Sequence, residues 1–182
     1  MVYDQVIHGR FVDMRSITLD DAEFSYQIRL RPEVCNVVGQ PASTIEEQKA
    51  FIKKQMQTKG DYYFVVCNKK GERIGLIGVY NIVNDMGELG REVNIGTTFE
   101  SMEAEVLLQD FCSDVLHLKK TCAVVYKENK KVISMNKKLG RMPKKEVIRS
   151  GRESLYYEEE ISEDMMSKIR ELLNKVRAYE NE

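Results

Sequence analysis

Proline occurs three times, histidine twice and tryptophan not at all in 182 residues. With so little proline and no glycine- or serine-rich stretch, the sequence holds no low-complexity tract, repeat or linker, and one domain spanning 1–182 is the economical expectation. The two histidines, His8 and His117, lie too far apart for a local metal motif, and no metal site is expected. Cys35, Cys67, Cys112 and Cys122 lack disulfide or ligand spacing, and three sit among apolar neighbours, so buried thiols are expected.

No apolar run approaches the ~18 residues a membrane helix needs, and MVYDQVIHGR at the start contains no apolar signal core. The expectation is therefore a cytoplasmic protein without membrane contact. No sign of charge prevails either: 28 Lys and Arg stand against 29 Asp and Glu, interspersed, for a net charge of -1. Such a balance argues against a nucleic-acid partner. What is present is ordinary globular composition, 42% apolar and 31% charged, enough for a sizeable core.

Phe11–Ile17 alternates as a half-buried strand, and a helix should follow from Thr18 to about Arg31, capped by Thr18, rich in acidic residues in its first turn and ended by Pro32. Glu33–Ala42 reads as a loop. Thr44 and Glu47 form a capping box for a second helix that ends before Gly60. Tyr62–Cys67, Arg73–Val83 and Glu88–Ile95 then read as three adjacent antiparallel strands. Pro143–Arg149 and Glu153–Ile161 read as a hairpin turned at Ser150-Gly151-Arg152. A last helix after Ser162, over 162–179, carries Met165, Met166, Ile169, Leu172, Leu173 and Val176 on one stripe, with Lys168, Arg170, Lys175 and Arg177 facing away.

The stretch from Ile95 to Gly140 organises the rest. Met102, Val106, Leu107, Phe111 and Val115 recur at helical spacing, Thr121–Tyr126 is rich in β-formers, and Asn129 sits where a cap belongs before a second helix that Gly140 stops. This strand-helix-strand-helix order, with NKKVISMNKKLG at its end and Glu103-Ala104 in the first helix, resembles the cofactor core of the GNAT N-acetyltransferases. The resemblance covers about residues 10–161, and its flavour is that of the ribosomal-protein and amino-sugar acetyltransferases. Three positions depart from the family pattern: the glycine-rich pyrophosphate loop is replaced by Thr97-Thr98-Phe99-Glu100-Ser101, a tyrosine by Asn136, and a phenylalanine by Arg141.

The resemblance implies an α/β (α+β) fold, a mixed and mostly antiparallel twisted sheet of about seven strands flanked by helices, with an extra C-terminal helix. It implies acetyl-CoA as cosubstrate, held by the backbone of Val93, Asn94 and Ile95 where two strands splay apart. The pyrophosphate would meet Thr97, Thr98, Phe99, Glu100 and Ser101 at a helix N-terminus, although these residues serve equally as a plain cap. Asn129 would touch the pantetheine arm or simply cap its helix. Asn136 can donate a hydrogen bond but has no proton to surrender.

Acetylation of an amine needs the amine neutral, and Glu88 and Glu92, four apart on one strand and so expected on one face with Gly90 and Asn94, are the candidate bases. Tyr80 is in reserve. Arg29, Arg31, Asn36 and Gln40 lie where the acceptor should meet the N-terminal helices, and paired guanidinium groups favour an anionic acceptor such as a nucleotide-linked amino sugar. Acetylation of a protein N-terminus, or a non-catalytic CoA-binding module, are the alternatives. A homodimer stays open.

Overall fold

The structure is a computed structural model that describes residues 1–39 and 41–179, without the side chains of 163–165 and 177–179. Gln40, and the side chains of Met165 and Arg177, lie outside the described residues. The strands are β1 (Ile7–His8), β2 (Val12–Ser16), β3 (Tyr62–Asn68), β4 (Arg73–Val83), β5 (Met86–Asn94), β6 (Lys120–Tyr126), β7 (Lys145–Arg149) and β8 (Arg152–Glu160). They form one sheet in the order β1-β2-β3-β4-β5-β6-β8-β7. Every neighbouring pair is antiparallel except β5 and β6, which are parallel. The strand beyond the seven expected is β1, two residues paired with the middle of β2.

The helices are α1 (Ala22–Leu30), α2 (Pro32–Cys35), α3 (Ile45–Gln57), α4 (Thr98–Asp110), α5 (Lys130–Lys138) and α6 (Glu163–Tyr179). Strand β3 is buried on both faces, so its YYFVVC run feeds two cores. Tyr63 and Val65 join Ile17, Ile28, Ile52, Leu76 and Val93 beneath α1 and α3. Phe64 and Val66 join Met14, Ile77, Val79, Ala104, Leu108 and Phe111 beneath α4. Each such side chain fully buried contributes roughly 1.5–3 kcal/mol. On the outer side of α4, Met102 and Val106 meet Met166, Ile169 and Leu173 of α6, with Met135 and Leu139 of α5 against them. Among the described residues no helix is long and apolar enough to cross a membrane.

Two local expectations are corrected and one is borne out. Pro32 does follow the end of α1, but it also opens α2 inside the expected loop, because a helix's first position has no N–H bond for proline to lose. Thr18 is the N-cap as expected, of a 3-10 turn over Leu19–Asp21 that leads into α1, and its N–H and O–H also donate to the Asp21 carboxylate at 2.9 and 3.0 Å. The helix expected through Val115 leaves α-geometry at Phe111 for a π-helical turn, where Phe111 meets the rings of Tyr3, Tyr62 and Phe64 edge-on at 5.0–5.2 Å.

Two carboxylates tie the N-terminal strands to the rest. Asp21 receives the Arg15 guanidinium at 2.7 and 2.8 Å and Arg73 at 3.2 Å. Burial pushes its carboxyl up, but Arg15 and Thr18 outweigh that and hold it at about 2. Glu103, buried on α4, accepts the backbone N–H groups of Arg10, Phe11 and Val12 at 2.9, 2.5 and 2.9 Å.

Candidate active site

Strands β5 and β6 pair from Met86 opposite Lys120 to Leu89 opposite Ala123, and there the pairing stops. Beyond it β5 stays bonded to β4 as far as Asn94, and β6 stays bonded to β8 as far as Tyr126. The two strands diverge, leaving facing backbone edges without ladder partners. The gap opens just past Glu88, several residues before Val93, where the resemblance placed it.

A bulge accompanies the divergence. Opposite Leu76 and Gly78 of β4 stand Val93 and Gly90 of β5, so β5 carries one extra residue. Arg91, inside it, has a φ of 55°, in the left-handed region that non-glycine residues seldom adopt. The extra residue reverses the alternation of side chains. Leu89 packs with the core beneath α4, whereas Val93 packs beneath α1 and α3. Glu88 and Glu92 therefore lie on opposite faces of the sheet, which corrects the expectation that they share one.

On the face of α1 and α3, Glu88 is buried directly across from Tyr80. Its carboxylate accepts the Tyr80 O–H at 3.2 Å, the Asn81 amide at 3.0 Å and the Arg149 guanidinium at 2.7 Å. Asn81 is turned towards it by a φ of 51° at a second register shift. A Cβ at position 90 would stand 2.5 Å from the Tyr80 oxygen, so Gly90 leaves the Tyr80 hydroxyl its place beside Glu88. Desolvation, then the charge of Glu88, raises the Tyr80 phenol and keeps it protonated. Nearer the rim, Arg152 lies 4.0 Å from the Tyr126 ring centroid, pairs with Glu128 at 3.0 Å and donates to the Asn36 carbonyl at 2.6 Å, bridging β8 to the end of α2.

On the face of α4, Glu92 is exposed to water, and only its side towards α4 and Arg141 is desolvated. That desolvation, followed by the like charge of Glu105, pushes its carboxyl up to about 7. The Ser101 hydroxyl at 3.4 Å, Arg141 and Lys131 pull the other way. Arg141, standing where the resemblance expects phenylalanine, pairs with Glu105, and its Nε is 3.2 Å from Glu159 without hydrogen-bond alignment. Asn136 is half-buried on α5, and its carbonyl accepts the Arg141 N–H at 2.8 Å.

The expected cofactor loop does sit at the end of the gap. Val93 is buried, so it offers backbone only, and the Ile95 N–H is already bonded to the Ile74 carbonyl at 2.9 Å. Asn94 accepts the Gly96 N–H at 2.8 Å. Thr97 and Glu100 cap α4 reciprocally: the Glu100 carboxylate takes the Thr97 N–H at 2.6 Å and Thr97 Oγ1 takes the Glu100 N–H at 3.3 Å. Helix geometry leaves Thr98 and Phe99 with N–H groups that have no partner inside the helix. Phe99 stacks on Phe11 at 6.2 Å. Asn129 is an N-cap, accepting the Val132 N–H at 3.2 Å.

The two acceptor arginines are not brought together. Arg29 is buried, donating to the Tyr63 hydroxyl at 2.9 Å and the Arg91 carbonyl at 3.2 Å, whereas Arg31 is exposed beside Glu33 at 3.5 Å. Sequence reasoning missed Arg91, Asp61 and Arg149. Arg91 pairs with Asp61, 30 residues away, and Arg149 with Glu88, 61 residues away, so no local pattern announces either.

A family model described as an acetyltransferase (GNAT) domain matches residues 12–141, well over half of the chain. No curated protein matches it. Among solved structures, a GCN5-related N-acetyltransferase from Brucella melitensis is similar with a TM-score of 0.77 at 16% identity, over 94% of this chain and 86% of that one. A mutant of the spermidine N-acetyltransferase SpeG from Vibrio cholerae is similar with a TM-score of 0.70 at 16% identity, over 84% of this chain and 95% of that one. At such identities the likeness is one of fold.

Proposed function

The chain belongs to the GNAT acetyltransferase family, and from that premise we propose that it transfers an acetyl group from acetyl-CoA to a primary amine of a small molecule. The observation that carries the reading is the divergence of β5 from β6 past Leu89, the residue after Glu88. It leaves the β5 edge free between the buried carboxylate of Glu88 and the residues that lead into the N-terminus of α4.

The residues fit acetyl-CoA. The β5 edge beyond Leu89 offers unpaired backbone groups for the amide-bearing pantetheine arm, and the N–H groups of Thr98 and Phe99 at the start of α4 suit a phosphate. Glu100 and its cap on Thr97 oppose that phosphate by charge and by occupying a donor. Bound acetyl-CoA supplies an activated thioester.

The chain's own part is to gather the amine and take its proton. A buried carboxylate held by three donors is an attractive seat for an ammonium group, and Arg149, reaching in from the edge strand, occupies that seat as an internal cation. An acceptor ammonium would displace Arg149 and give its proton to Glu88 directly or through water; the neutral amine would then form its bond to the acetyl carbon as the carbon–sulfur bond breaks, the thiolate leaving and taking a proton from water. Tyr80 holds the carboxylate in place and stays protonated while doing so. One observation favours a second base: the Glu92 carboxyl titrates near 7, where a general base is most effective.

The acceptor class follows from the same lining. Arg29 is committed to Tyr63 and the bulge, so the anionic acceptor that an arginine pair would have recruited loses its anchor. The carboxylate of Glu88, beside the Tyr80 hydroxyl, favours a cationic amine, and polyamines are candidates, a nucleotide-linked amino sugar less so. Calorimetry with acetyl-CoA, followed by acetylation assays on polyamines, amino sugars, nucleotide-linked amino sugars and basic peptides, tests this. Micromolar binding with turnover on a polycation is expected; binding without turnover on any amine would favour a non-catalytic module.

A further inference from the structure

We propose that Arg91 and Asp61 form a clamp that holds the β5 bulge, positioning the free strand edge and Glu92 towards the cofactor side. The inference rests on the reading of the β5–β6 gap as the acetyl-CoA site.

A non-glycine residue seldom adopts the left-handed region, so something must hold Arg91 there. Its guanidinium makes two parallel bonds to the Asp61 carboxylate, 2.6 and 2.8 Å, a geometry only arginine provides. The same group lies 4.1 Å from the Tyr80 ring centroid, 5.2 Å from Phe51 and 5.5 Å from Tyr63. Arg29 secures the other side of the residue by donating to the Arg91 carbonyl and the Tyr63 hydroxyl. Asp61 precedes β3, so the pair spans β4 and fastens β5 to a strand two places away.

The clamp matters because of what a regular β5 would do. Without the extra residue, every side chain after Gly90 would change faces. Val93 would leave the core beneath α1 and α3, and Glu92 would turn away from α4. In the observed conformation Glu92 faces Ser101 and Glu105 of α4, Lys131 of α5 and the Arg141 that follows it. Arg91 and Asp61 act on the site only through the backbone between them and Glu92; they are positioning residues.

The test compares Arg91→Gly, Arg91→Ala and Asp61→Asn with the unaltered chain. Glycine adopts a φ of 55° freely and keeps the bulge without the clamp, whereas alanine loses both. Two quantities are read: the acetyl-CoA dissociation constant by calorimetry, and the titration midpoint of the Glu92 carboxyl by NMR with carbon-labelled glutamate. Arg91→Ala and Asp61→Asn should weaken binding about ten- to a hundredfold and bring the midpoint down towards an ordinary carboxylate. Arg91→Gly should recover most of both. Glycine and alanine variants that behave alike, or an Asp61→Asn variant indistinguishable from the unaltered chain, would overturn the clamp. Should Arg91→Ala not fold, Asp61→Asn, which keeps shape and removes the charge, decides the matter. An unaltered chain that binds no acetyl-CoA would defeat the reading of the gap, while the Glu92 midpoint would still judge the clamp.

Discussion

Glu88 and Glu92, four residues apart on one strand, face opposite sides of the sheet because the bulge at Arg91 inserts one residue between them. Glu88 meets Tyr80, Asn81 and Arg149; Glu92 meets the first turns of α4 and the surroundings of Arg141. A strand that alternated regularly would have given both carboxylates one task. Here they are separated onto the face of α1 and α3 and the face of α4.

Kinetics should distinguish them. Glu88→Gln is expected to keep acetyl-CoA affinity and lose roughly 10²–10⁴ in turnover, the usual contribution of a general base. The loss should shrink at high pH, where the acceptor amine is already neutral. Glu92→Gln should stay within a few-fold of the unaltered chain. The reverse pattern in steady-state rates measured across pH would move the base to Glu92.

Stability should depend on Glu92 in a definite direction. Its folded carboxyl titrates at about 7, above the ordinary value of 4.5, so between those pH values the folded state holds more protons than the unfolded one. Stability therefore falls as pH rises through that window. Glu92→Gln removes the penalty and should melt higher than the unaltered chain at pH 8 but not at pH 4. Melting curves at the two pH values, with no difference at either, would contradict the crowding round this carboxyl.

Asp21 works with the opposite sign. Held at about 2 against 3.8, it contributes stability that is complete above the unfolded value and is lost as pH falls towards 2. Asp21→Asn leaves Arg15 and Arg73 without their shared partner and should cost roughly 1–3 kcal/mol at neutral pH. Urea unfolding at pH 7 and pH 3 should show that cost narrowing in acid.

The start of α4 offers a fourth check. Glu100→Gly removes a charge beside the proposed phosphate position and frees the Thr97 N–H, so acetyl-CoA should bind roughly three- to tenfold more tightly. The lost cap should cost about 1 kcal/mol of stability. Calorimetry and melting on the same sample read both effects, and unchanged affinity would argue against phosphate at this helix end.

Much of this architecture was legible before the structure, and for local reasons. Thr44 with Glu47, Asn129 with Val132 and Gly140 announce helix ends through bonds spanning only a few residues, and the three meander strands read from adjacent apolar runs. The splay was reachable only through the family resemblance. What stayed hidden depends on partners brought together by folding. The positive φ of Arg91 carries no glycine to signal it, and its stabilising partner Asp61 lies just before a different strand, β3. The same distance hid the Arg149 bond to Glu88 and the burial of Arg29, which left two adjacent-looking arginines to be read as a pair.

Glu103 sets a constraint on the order of assembly. Its carboxylate binds backbone groups 91 to 93 residues earlier in the chain, a closure far more expensive in entropy than the short turns joining β3, β4 and β5. The meander can form first, and the segment holding β2 must dock afterwards against α4. Until it does, β3 presents a bare edge of β-branched and aromatic residues to any neighbouring chain. Pairing with β2 covers that edge, and the Glu103 carboxylate fastens the incoming segment to α4 at residues 10–12.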